Sequence, residues 1–245
     1  AAVRRCGDLR RITARIWLLL TAAAALISVN WLIYVYAVDN GHVVDAALGY
    51  FINPLVSIAL GLIIFREHLN RWQLGALVIA IVAVVILTVN VGSPPVVGLG
   101  LALSFGLYGA VKKLVPTDPR VSVGVEAGLA APFAAAYVAV LQITGHGTFT
   151  DHGAGHVVLM IASGVLTALP LLLFAAAAQR LPMVTLGLLF YLTPAMQLSW
   201  GVLVGHEPMP PARWLGFALI WTALLVFTVD AVRRARRRSS QPSPV

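Results

Sequence analysis

Long apolar runs, broken by short polar punctuation, dominate the pattern of the chain. A helix needs about 20 predominantly apolar residues to cross roughly 30 Å of hydrocarbon. By that measure the sequence predicts eight spans, at about residues 16–38, 43–65, 72–90, 96–114, 121–142, 157–178, 183–204 and 211–232. Turn-forming or charged segments separate them: Asp39-Asn40-Gly41-His42, residues 66–71, Gly92-Ser93-Pro94-Pro95, residues 115–120 and residues 145–156. The pattern argues against barrel strands, which run about ten alternating residues, because these runs are about twice that length and do not alternate. Arg4, Arg5, Arg10, Arg11 and Arg15 precede the first run, as in a secretory signal. Its apolar stretch is too long for a signal core and a second hydrophobic segment follows almost at once, so it reads as a true span.

Composition sharpens this picture. Of 245 residues, 60% are hydrophobic and only 11% charged, with a mean hydropathy of +0.90; an ordinary soluble domain is roughly 25% charged. So few charges cannot wet a globule of this size, which makes a soluble enzyme, a disordered chain and a nucleic-acid-binding domain poor fits. The single cysteine, Cys6, leaves no disulfide framework, and no Cys/His spacing resembles a zinc site. The fold class expected is therefore all-α, a polytopic membrane helix bundle. Its basic residues test the topology. If the C-terminal Arg233, Arg234, Arg236, Arg237 and Arg238 are cytoplasmic, eight spans put the N-terminal arginines on the same side. Arg66, Arg71, Lys112, Lys113, Arg120 and Arg180 then fall in cytoplasmic loops, leaving only Arg213 of the 17 Lys/Arg outside. That is the bias by which short basic loops resist translocation, and it explains the pI near 10.4 without nucleic acid. Both termini are expected in the cytoplasm, and the positive charge faces anionic lipid head groups.

Self-comparison adds an internal repeat. Gly49-Tyr50-Phe51-Ile52-Asn53-Pro54 is echoed by Leu189-Phe190-Tyr191-Leu192-Thr193-Pro194, and at the same offset Gly61 and Glu67 meet Gly201 and Glu207. Trp72-Gln73-Leu74-Gly75 then answers Arg213-Trp214-Leu215-Gly216 after a one-residue slip. The matched runs are the second and seventh spans. An odd number of crossings separates them, so they run in opposite directions: an inverted repeat, the architecture of many secondary transporters. The expected organisation is an N-terminal repeat over residues 1–95 with three spans, a C-terminal repeat over 96–232 with five, and a basic cytoplasmic tail over 233–245. A five-span unit implies ten spans in all, eight of them present here, with two N-terminal spans missing ahead of Ala1.

These residues carry a family likeness. From Asn30-Trp31, through Ala37-Val38-Asp39-Asn40-Gly41-His42, to Leu48-Gly49-Tyr50-Phe51-Ile52-Asn53-Pro54-Leu55, the chain closely resembles the RarD branch of the EamA-type drug/metabolite transporters. Ser104-Phe105-Gly106-Leu107-Tyr108-Gly109, Glu126 with Pro132, Thr167-Ala168-Leu169-Pro170-Leu171 and residues 175–181, 217–221 and 230–231 fit the same branch. The resemblance implies a ten-span permease of two inverted halves that exports or exchanges small metabolites or drugs across the bacterial inner membrane.

Polar groups inside hydrocarbon are costly and are satisfied by a neighbouring helix or placed on a wet pathway. Glu126 is the one acidic residue clearly within a span; it either exchanges protons along the pathway or bonds to a neighbouring helix. Asn53 precedes Pro54, whose missing N–H frees a carbonyl in mid-span, and Thr193-Pro194 repeats the arrangement. Tyr50 shares the Asn53 face, and Asn30, Tyr34, Tyr108, Tyr191 and Gln197 complete the expected lining of a central cavity. Against this stands the bland reading of helix packing and interfacial anchoring, which fits Trp17, Trp72 and Trp214. Asp45 and Asp230 read as solvated boundary carboxylates, and Glu67 and Glu207 as groups that neutralise helix ends. Gly98, Gly106 and Gly109 with Ser104 suggest close helix contact through small faces. His146, His152 and His156 share an external loop without further convergent ligands, so no metal is expected, and no cofactor.

Three function classes follow. The first is a secondary transporter of a small-molecule solute by alternating access, embedded in the lipid bilayer. It is driven by a gradient because no nucleotide motif is present, and Glu126 is its candidate for proton antiport. A second copy of the chain is left open as a partner. An intramembrane enzyme is disfavoured, since all six histidines lie in loops or at span ends. A non-transporting scaffold or receptor is the remaining alternative.

Overall fold

The computed structural model describes residues 13–89, 96–145, 147, 153–193, 196 and 211–239. Among the described residues there are eight helices: α1 (Ala14–Asp39), α2 (Val43–Ile63), α3 (Arg71–Val89), α4 (Val96–Leu114), α5 (Pro119–Ile143), α6 (Gly153–Arg180), α7 (Met183–Phe190) and α8 (Pro211–Ser239). The molecule is an all-α membrane bundle. Five of these helices, α1, α3, α4, α5 and α6, are long and apolar enough to cross a bilayer. Most of the expected 183–204 span beyond Phe190 lies outside the described residues. α5 starts earlier than hydropathy alone suggests because Asp118 caps it: the Arg120 N–H donates to Asp118 Oδ1 at 2.9 Å, with Pro119 in the first helical turn. α8 runs past the apolar segment to Ser239, as its Arg- and Ala-rich end is a good helix former.

The chain groups into two compact units. The first takes residues Ala1–Val29 and Tyr108–Leu181, the second Asn30–Leu107 and Pro182–Val245. In the first unit, α5 and α6 leave Phe133, Ile143, Leu159 and Leu166 exposed by 70% or more. Large apolar side chains bared to that degree fit a hydrocarbon solvent rather than water.

The second unit has its core along two helix pairs. Ala76, Ala80 and Ala83 form a fully buried small-residue stripe on α3, on which Ile220, Ala223 and Phe227 of α8 pack. A Cβ added to Gly216 would stand 2.7 Å from Leu87, so glycine lets these backbones approach closely. Contact of Gly216 with Leu87 at one end, and of Asn70 with Asp230 at the other, makes α3 and α8 antiparallel. α2 and α7 are antiparallel too. Glu67, just past α2, reaches the start of α7, while a Cβ on Gly187 would meet Pro54 O at 2.8 Å and Ser57 Cβ at 3.1 Å. By contrast α2 and α4 run parallel, with Gly49 against Gly98 and Gly106 against Val56 and Leu60. Within this unit neighbours an odd number of helices apart are antiparallel and those two apart parallel, as successive membrane crossings require.

Candidate functional site

Two polar clusters stand inside the helices, one in each unit. In the first unit α4 and α5 form a hairpin around residues 115–118. Tyr108 and Lys112 lie four residues apart on α4, as Ser122 and Glu126 do on α5, so each pair occupies one helix face. The four side chains meet. Lys112 Nζ donates to Glu126 Oε1 at 2.6 Å and to Ser122 Oγ. Ser122 Oγ donates to the same carboxylate oxygen at 2.9 Å, and the Tyr108 hydroxyl to Glu126 Oε2 at 3.0 Å. The ammonium also sits 5.6 Å from the Tyr108 ring centroid, and that ring stacks on Phe174 of α6. All four residues are buried. Opposite charges at this distance cancel, and each carboxylate oxygen has a donor, which makes the burial tolerable. Around them, Gln179 Nε2 donates to the carbonyls of Val115 and Thr117, and Lys113 Nζ to that of Leu181. These bonds fix the hairpin turn to the end of α6.

Tyr108 and Glu126, each expected separately to line a substrate pathway, are thus in direct contact. Lys112 corrects it: rather than lying in a cytoplasmic loop, it occupies the last turn of α4 with its side chain fully buried. A lysine near a span end looks like a loop residue by charge; the fourfold spacing to Tyr108 was the signal for its inward face. Ser122 carries no charge and so gives no hydropathy signal; its fourfold spacing to Glu126 is the mark of a shared face.

The second cluster lies where α2 crosses α7, around Pro54. Asn53 Oδ1, Ser57 Oγ and the Tyr191 hydroxyl are buried there without a hydrogen-bond partner among the described residues. Ser57 and Tyr191 are fully buried, and apolar Phe51, Ile58, Val184 and Leu188 surround the crossing. Asn53 and Tyr191 were expected at the site; Ser57, one turn beyond Asn53, was not. The expected Asn30 instead bridges helices: its Nδ2 donates to Leu101 O and to Ser104 Oγ, each at 2.9 Å. Tyr34 is half-buried, edge-on to Trp31, and faces the partly exposed Tyr50. Thr193 is exposed. Pro194 and Gln197 lie outside the described residues, as do Glu207 and the Asp45 side chain.

Two boundary acids are structural. Glu67 accepts from the N–H groups of Met183 and Val184, both at 2.8 Å, and so caps α7 at its positive end. Asp230 corrects the expectation of a solvated carboxylate: it is buried and accepts from Asn70 Nδ2 at 2.8 Å. Asn70 in turn forms a reciprocal cap with Gln73 at the start of α3.

Comparison with known proteins matches residues 5–89 and 94–229 to the EamA-like transporter family. Protein RarD of Streptomyces exfoliatus is 47% identical over 238 residues, covering 96% of this chain and 76% of that protein. An uncharacterized transporter, YojE, of Bacillus subtilis is 42% identical, covering 89% of this chain and 72% of its own. Protein RarD of Escherichia coli is 38% identical, covering 90% and 75%. No solved structure matches.

Proposed function

Since the chain belongs to the EamA-like transporter family, a multi-pass bacterial inner-membrane transporter of the drug/metabolite type, we propose that it is a secondary carrier of small metabolites or drugs. Two inverted copies of one helical module rock about a shared passage, opening it to one side of the membrane and then to the other. One observation carries this reading. The helices matched by the internal repeat, α2 with α7 and α3 with α8, pack on each other within one unit, and both pairs are antiparallel. The family match in two segments, divided near residue 90, supports the same duplication. The copies then span residues 1–95 and 96–232, and both termini of the chain face the cytoplasm.

The Lys112–Glu126 pair is the natural place for coupling to protons. An ionisable group in hydrocarbon has to act with a partner, and protonation of Glu126 would unpair Lys112, changing what the α4–α5 hairpin holds together. Flux through proteoliposomes containing the protein, screened over small metabolites and drugs with and without a pH gradient, tests the proposal. A solute accumulated only under the gradient is the expected result, with Glu126→Gln losing the pH dependence. Unchanged coupling in that variant would remove Glu126 from the mechanism, and absence of flux for every solute would remove the carrier reading.

A further inference from the structure

We infer that the crossing of α2 and α7 is a binding subsite for an uncharged hydrogen-bonding group of the transported solute, a hydroxyl or a carboxamide. The inference rests on the carrier reading and adds a substrate chemistry to it. Its basis is an unmet demand. Asn53 Oδ1, Ser57 Oγ and the Tyr191 hydroxyl are buried with no partner among the described residues, although buried polar groups are nearly always bonded and each orphan costs stability. Register brings them together. Ser57 lies against Gly187. One turn back along α2 stands Asn53, and one turn on from Gly187, just past the end of the antiparallel α7, stands Tyr191, so the three line neighbouring levels of one crossing. Pro54 sits among them inside α2, and its missing N–H leaves the carbonyl of residue 50 without its usual donor. Gly187 keeps the crossing close, because any side chain there would strike Pro54 O and Ser57.

The chemistry of the site selects its occupant. Residues 46–65 and 181–193 contain no Asp, Glu, Lys, Arg or His, and the neighbouring Glu67 carboxylate is already engaged by the N–H groups of Met183 and Val184, so neither stretch supplies a counterion to an anion or a cation. Asn53 Oδ1 accepts and would repel a carboxylate. The two hydroxyls carry hydrogens that need acceptors, which a bare metal cation would not provide. An uncharged group that both donates and accepts meets all three atoms. Water has that chemistry as well, and the test separates it from a solute.

Radiolabelled benzamide and benzyl alcohol are the probes, with benzoate and benzylamine as charged counterparts of similar shape. Binding is read on the purified full chain by equilibrium dialysis, so the result does not depend on transport. The expected outcome is saturable binding of an uncharged probe that benzoate and benzylamine do not displace. It should weaken about tenfold or more in Ser57→Ala and in Tyr191→Phe, the scale of one lost bond at a dry site. Each variant is checked for an unchanged unfolding midpoint, and either alone suffices. Binding of the charged probes only, or binding of an uncharged probe that both variants leave intact, would overturn the inference. Absence of saturable binding for either uncharged probe would assign the crossing to fixed water and overturn the inference equally. A failed flux screen alongside positive binding would count against the carrier reading alone.

Discussion

The two polar clusters solve the same problem in opposite ways. In the α4–α5 hairpin an ammonium and a carboxylate are buried against each other: Lys112 meets Glu126, and two hydroxyls donate to that carboxylate's oxygens. At the α2–α7 crossing the one carboxylate that reaches α7, Glu67, is bonded to two backbone N–H groups, yet three polar atoms have no hydrogen-bond partner among the described residues. The charged pair is bonded by its own neighbours, and the three neutral groups are not. Inside a bilayer, cost by itself does not mark where a ligand sits. The more expensive groups are the better satisfied, and the cheaper ones are the orphans on which the proposed subsite rests.

The largest predicted effect breaks the charged site. Lys112→Met or Glu126→Gln leaves one partner buried without the other and should cost about 3–5 kcal/mol, read as a lowered midpoint of denaturant unfolding followed by circular dichroism. The double variant Lys112→Met/Glu126→Met should recover most of that loss, because a matched apolar pair has no charge to strand. Glu67→Ala comes next. It removes the carboxylate from two N–H groups of α7 and should cost about 2–3 kcal/mol by the same assay. Gly187→Leu should cost about 1–3 kcal/mol by overpacking the crossing, since the added side chain meets the backbone at Pro54, which cannot step aside. The smallest effect is the sharpest contrast. Ser122→Ala should lose about 1 kcal/mol with its bonds, whereas Ser57→Ala should be neutral or slightly stabilising, because it deletes an orphan hydroxyl. Equal losses from the two serines would erase the distinction between the sites.

Much of this was legible in the sequence, and the limits have physical causes. Span positions follow from apolar length, so α4 was placed over Val96–Leu114 and most other ends were placed to within a few residues. The ends that moved did so for local reasons that hydropathy ignores, such as the Asp118 cap before α5. The direction of the repeat was readable because parity of crossings fixes it. Lys112 and Asp230 were misplaced because charge near a span end reads as solvation. Their partners, Glu126 on α5 and Asn70 capping α3, belong to other elements, and only the fold brings them near. Tyr108 and Glu126 were singled out separately, as costly groups in hydrocarbon, but nothing in hydropathy says that they touch. Ser57 was invisible because a serine in an apolar run is common, and only its burial without a partner sets it apart.

The claim that the chain alternates the access of one passage is tested most directly at position 57. In a Cys6→Ser background, Ser57→Cys is treated with a membrane-impermeant maleimide in right-side-out and in inside-out vesicles. The account predicts labelling from both sides, with the balance between them shifted by a transported solute or by a pH gradient. Labelling from one side only, whatever the conditions, or from neither, would contradict it.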